Sequence, residues 1–120
     1  MEGRPPVWIG HAVLSVSDVG RSADYWTGVG MREVERNANV AVLELRGGTH
    51  LVLVSGTPAP GGEAPFDLMV DDLDGTRADW AARGLDPSPI ERGQIHAAFT
   101  VRDPDGYRVT VNSSHVVGDV

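Results

Sequence analysis

Two stretches of this chain read almost alike. Residues 14–31 are LSVSDVGRSADYWTGVGM, and residues 68–85 are LMVDDLDGTRADWAARGL. At an offset of fifty-four residues, Leu14 meets Leu68, Val16 meets Val70, Asp18 meets Asp72 and Ser22 meets Thr76. Trp26 likewise meets Trp80, Gly30 meets Gly84 and Met31 meets Leu85. Self-similarity over such a span marks a repeated supersecondary unit, and it restricts the architecture before any single residue does. It also supplies an internal alignment, so a functional residue in one half has a defined mate in the other.

The pattern within each half gives the elements. Residues 7–17, VWIGHAVLSVS, alternate as a strand. Ala12, Leu14 and Val16 fall on one face; His11, Val13 and Ser15 fall on the other. Asp18 suits an N-cap, and the helix after it carries Val19, Ser22, Ala23 and Trp26 and stops at Gly28 and Gly30. A short strand is expected over residues 31–35. NVAVLEL and THLVLVS then form a hairpin on a two-residue turn, Gly47-Gly48. Residues 55–65, SGTPAPGGEAP, read as a linker without periodicity.

The second half repeats the order. A strand over Phe66–Val70 leads to a helix capped by Asp72 or Asp74, running through Trp80 to Gly84. After a turn at residues 86–89 comes a second hairpin, IHAAFTVR and YRVTVNS, on Asp103-Pro104-Asp105-Gly106. Pro second and Gly fourth suit a type I turn. The tail from residue 115 is expected to fray. The fold class is therefore α+β: one domain of two tandem β-α-β-β-β modules, about 7–55 and 66–114, making a cupped mixed sheet around a cavity.

Composition narrows the function. A chain of 120 residues buries roughly two thirds of its unfolded surface, enough for one core. With no cysteine, disulfides, thiolate catalysis and cysteine-metal sites are excluded. The formal net charge is −7 and every basic residue is an arginine. That balance disfavours nucleic acid, which needs a basic patch, and favours a cationic ligand; it also serves solubility. No apolar run has the length of a membrane span, and the start MEGRPPVWIGH lacks a signal-peptide apolar region, so a cytoplasmic location is the expectation.

The repeat, the strand-helix signature and DPDGYRVTV near the C-terminus together resemble the vicinal oxygen chelate superfamily. This group includes glyoxalase I, extradiol dioxygenases, fosfomycin-resistance enzymes and bleomycin-resistance proteins. The resemblance runs from about residue 8 to residue 112. It implies a homodimer with a cavity shared between chains. It also implies four metal-ligand positions, one on the first and one on the last strand of each module, usually His and Glu. Here those positions hold His11, its repeat mate Pro65, Thr110 and its counterpart Val52. A zinc-, nickel- or manganese-type ion needs three or more protein ligands. Val and Pro offer no side-chain donor, so the resemblance is to the metal-free, bleomycin-resistance type, with no metal and no cofactor expected.

The face opposite the helices carries the candidates. The ligand-binding set is Trp8, His11, Val13, Ser15, Val52, Asp67, Met69, Phe99, Arg108 and Thr110, a half-polar wall of the kind small-molecule sites use. His11 is either a packed histidine or a ligand contact, and its imidazole can serve as acid or base near neutral pH. Asp67, half-buried in a strand, needs a partner: a cationic ligand group, or Arg108 on the same face. A non-standard metal set of His11, His50 and Asp67 is conceivable, although His50 beside the glycine turn reads as a rim residue. His96 is expected to be exposed. Trp26 and Trp80 read as core, Trp8 as a stacking surface, and Phe99 and Met69 as apolar wall.

Three functions remain open. The first is a metal-free protein binding a cationic or aromatic small molecule, such as an antibiotic or other natural product. The second is a lyase, isomerase or oxygenase-like enzyme of the same fold using His11 or Asp67, or the non-standard metal set. The third is a dimeric interaction module with a vestigial cavity. Gly-rich phosphate loops, Ser-His-Asp sets and zinc-protease motifs do not occur.

Overall fold

A computed structural model describes residues 3–59 and 61–114; the tail from residue 115 lies outside the described residues. Module one comprises β1 (His11–Val16), α1 (Val19–Gly28), β2 (Arg32–Arg36), β3 (Val40–Glu44) and β4 (His50–Ser55). Module two comprises β5 (Leu68–Val70), α2 (Leu73–Ala82), β6 (Glu91–Arg92), β7 (Ala97–Arg102) and β8 (Arg108–Ser113). Each module forms a four-stranded mixed sheet, in the orders β1-β4-β3-β2 and β5-β8-β7-β6. The first strand of each module pairs parallel with the last, and the remaining pairs are antiparallel.

The two helices start where the repeat predicts. Asp18 accepts a hydrogen bond from the Arg21 N–H (3.0 Å), and Asp72 accepts one from the Gly75 N–H (2.9 Å). Each side chain satisfies an otherwise orphaned donor of a first turn. Asp72, rather than Asp74, is the second cap. Gly30 (φ 122°) and Gly84 (φ 81°) turn the chain out of the helices with backbone angles that favour glycine.

One apolar core serves both modules. Leu14, Val16, Trp26, Leu43, Leu53, Trp80, Phe99, Val109 and Val111 are all buried within it. Trp26 of α1 packs on Phe66 of module two with ring centroids 5.8 Å apart. This explains one departure from the expected elements. Pro65 lacks an N–H and Phe66 turns into the core, so β5 begins only at Leu68. A second departure is the Gly47-Gly48 turn. The connection between β3 and β4 is longer: Arg46–Gly48 form one 3-10 turn, in which the Gly48 N–H donates to the Leu45 carbonyl (3.2 Å), and the Leu45 N–H donates to the Thr49 carbonyl (2.8 Å) around it. Both glycines do take positive φ, 81° and 85°. A third is the linker, which is not wholly irregular: Glu63 bridges β8 at Arg108, and the Ala64 N–H donates to the Arg108 carbonyl (3.0 Å).

The Asp103–Gly106 turn forms as expected. The Gly106 N–H donates to the Asp103 carbonyl (2.9 Å), and the Asp103 side chain accepts from the N–H groups of Asp105 and Tyr107 (both 2.9 Å). No helix among the described residues is long and apolar enough to cross a membrane.

Candidate functional site

β1 and β5 are edge strands of their sheets, and a cleft of about 620 Å³ lies between them. Module one contributes Ile9, His11, Ala12, Val13, Leu45, Thr49 and Leu51; module two contributes Pro65, Phe66, Asp67 and Leu68. The walls are mainly apolar, with His11 and Asp67 as ionisable groups. β1 lies at the seam, so residues from both of its faces line the cleft: His11 and Val13 from the outer face, and Ala12 with its register partner Leu51 from the core side.

His11 ends a polar row that crosses the first sheet. In register, His11 faces His50, His50 faces Glu44, and Glu44 faces Arg32. The two imidazoles stack with centroids 5.8 Å apart. His50 Nε2 lies 3.6 Å from Glu44 Oε2, and Arg32 is ion-paired to the same carboxylate. The next row on this face is Val13, Val52 and Val42. The first sheet thus presents hydrocarbon beyond a charged border. His50 is half-buried in this row, not a free rim histidine.

Asp67 does not pair with Arg108. Its carboxylate accepts from Asn112 Nδ2 (3.1 Å), which also reaches the Leu68 carbonyl (3.4 Å). Arg108 is ion-paired with Glu63 instead. Asn112 is buried, and sequence reasoning missed it. Parity held the signal, because Asn112 lies two residues from Thr110 on the face carrying Asp67. Glu44 and Arg32 were missed too, since their alignment with His11 depends on pairing across four strands.

The remaining candidates are dispersed. Phe99 is 1% exposed and edge-on to Trp80 (5.6 Å), so it is a core residue and not a cavity wall. Its strand presents Phe99 to the helix side and Ala98 and Thr100 to the outer face. Trp8 (68% exposed) and Met69 (48%) stand in the open beyond the cleft lining. Ser15 lies at the far end of β1, where its carbonyl accepts from the Tyr107 hydroxyl (2.8 Å). Thr110 faces Thr100 across β7 and β8. Trp26 and Trp80 are both in the core, and His96 is exposed.

The superfamily's metal positions, carried over by resemblance, are separated by this geometry. His11 and Pro65 both line the cleft, whereas Val52 and Thr110 sit outside it on different sheets. Asp67, the third member of the non-standard set, has its carboxylate engaged by Asn112. Among the described residues, no group of three His, Asp or Glu side chains comes together to hold a metal ion. At these positions Pro65 and Val52 carry no donor side chain.

Comparison with known proteins places this frame. The family model for the glyoxalase/bleomycin resistance protein/dioxygenase superfamily matches residues 8–111. The chain belongs to that superfamily. Among solved structures it is similar to TnmS3, an antibiotic binding protein from Streptomyces sp. CB03234, with a TM-score of 0.79, 21% identity, and coverage of 92% of this chain and 98% of that one. It is also similar to a lactoylglutathione lyase from Agrobacterium tumefaciens (TM-score 0.77, 19% identity, 92% and 96% coverage). A third similar structure is the oxidase ChaP-H1 (0.74, 18%, 90% and 96%). At such identities the likeness is one of fold. No curated protein sequence matches the chain.

Proposed function

We propose that this protein binds a small apolar or aromatic molecule in the cleft between its modules, without a metal. The observation that carries the reading is the cleft itself: apolar walls, two ionisable groups, and Pro65 at the position where the resemblance calls for a second ligand. Pockets of this volume and lining suit drug-sized ligands. His11 supplies a hydrogen bond and a flat face, and Asp67 favours a cationic substituent. The antibiotic-binding neighbour supports the same direction.

A second copy of the chain completes the site in this reading. Val13 (54% exposed) and Val34 (57%) stand uncovered, and Val40, Val42, Val52 and Val54 are only partly buried. An apolar sheet face of this kind marks an interaction surface. A homodimer covers it and encloses the cleft.

A thermal-shift screen against aromatic and cationic natural products tests the reading, combined with elemental analysis of protein purified without chelator. Stabilisation by one compound, with no stoichiometric metal, is the expected result. Failure of every compound, or one metal per chain, contradicts it. A metal-free acid/base enzyme is the second reading, favoured by His11 and Asp67 lining one cleft; turnover that is lost in His11→Ala supports it.

A further inference from the structure

Two of the contacts between the modules are related by the internal repeat. Ser17 follows β1 directly; its mate fifty-four residues on is Asp71, which follows β5 directly. Each is held by a hairpin turn of the other module. Ser17 donates its N–H and its hydroxyl to Asp105 in the β7–β8 turn (3.2 and 2.5 Å). Asp71 accepts two hydrogen bonds from Arg46 in the β3–β4 turn (3.3 and 2.9 Å).

These matched contacts have diverged. The Asp105 side chain is 5% exposed and is also paired with Arg21 (3.5 Å). Two residues on, the buried Tyr107 donates its hydroxyl to the Ser15 carbonyl and accepts from the Ala59 N–H (both 2.8 Å). The DPDGY segment, whose turn geometry needs neither the Asp105 carboxylate nor the Tyr107 phenol, is thus a clasp between modules. The Arg46 and Asp71 side chains are 70% and 68% exposed. Leu45, beside Arg46, and Leu68, three residues before Asp71, line the cleft. Phe66 on Trp26 lies on the core side of the seam, and Arg83 hydrogen-bonds the Gly28 carbonyl between the helix ends.

We propose that the pair works as hinge and latch. The Ser17–Asp105 clasp, in which an exposed serine holds a buried carboxylate beside the buried Tyr107, is the fixed end of the seam. The exposed Arg46–Asp71 pair bridges the modules at the other end, and its opening admits ligand to the cleft. Physical chemistry sets the order of release. An exposed ion pair is weak and screened by salt. Breaking the clasp instead takes hydrogen bonds from the buried Asp105 carboxylate. Local opening therefore begins at the latch. The gating half of the proposal rests on the cleft being the ligand site.

Hydrogen exchange of the ligand-free protein tests the latch without a ligand. Arg46→Gln and Asp71→Asn are each expected to speed amide exchange in residues 45–51 and 68–72 by about two- to fivefold, the range of an exposed pair. The double variant should be no faster than either single. Raising NaCl from about 0.05 M to about 0.5 M, which shortens the screening length severalfold, should speed the wild type and leave Arg46→Gln unchanged. Ser17→Ala should lower the melting temperature of the whole chain. Unchanged exchange in Arg46→Gln, additive singles, or a salt-independent wild type overturns the latch. Stopped-flow binding of 8-anilinonaphthalene-1-sulfonate tests the gate: faster association in Arg46→Gln is expected, and an unchanged rate overturns gating. If Val13→Arg leaves this probe's binding intact, the cleft reading fails, while the exchange result still judges the latch.

Discussion

The Asp103 carboxylate has one oxygen accepting from two backbone N–H groups and another buried without a partner. Burial is the largest influence on it and raises its pKa, the turn's N–H donors work against that rise, and the Asp105 charge adds to it. The Tyr25 phenol on α1 is pushed up to about 12, first by burial and second by the Asp103 charge. A carboxylate whose folded pKa is raised stabilises the fold fully only below its unfolded pKa, and that contribution is lost as pH rises through the folded value. Asp103→Asn should therefore be least favourable, relative to wild type, below pH 3.8, the group's ordinary value. It should gain on wild type as pH rises toward neutrality. Chemical denaturation of both proteins across that range checks the sign; a difference that does not change with pH contradicts it. Sequence placed Asp103 in a turn, but its influence on Tyr25 arises only when the two modules pack together. The same holds for Asp67, whose partner Asn112 comes from a strand about forty-five residues away.

At the scale of elements, local signals decided what local chemistry controls. Both N-caps act through a side chain three residues from its donor, so Asp18 and Asp72 could be read directly. Asp18→Ala and Asp72→Ala should each cost about 1 kcal/mol, and, being in different helices, should add in the double variant. Equilibrium unfolding in urea measures both; a loss near zero for either removes that residue as a working cap. Elements whose ends depend on packing were less legible. β5 is shortened because Phe66 is drawn to Trp26. The β3–β4 connection is longer than two glycines because Leu45 and Thr49 pair outside the strands. From sequence Phe99 reads as cavity wall because the repeat does not anchor the facing of β7; its contact with Trp80 fixes it inward.

For the whole molecule, duplication gave two sheets that have kept their frame and changed their surfaces. The outer face of the first is rich in valine behind the His11, His50, Glu44 and Arg32 row. The second carries Thr100, Thr110, Arg102 and Arg108 on its corresponding face. Covering the valine face with a second copy predicts a dimer by sedimentation, and Val52→Glu should shift it to monomer with little loss of monomer stability; a wild-type monomer at high concentration contradicts this. The central claim is ligand binding in the cleft without a metal. Calorimetric titration of chelator-treated protein with aromatic natural products tests it most directly, with Val13→Arg as the variant that obstructs the cleft. The account predicts that a compound binds the wild type without added metal and that Val13→Arg abolishes the heat. Binding that appears only after a divalent metal is restored, or that survives Val13→Arg unchanged, would contradict it.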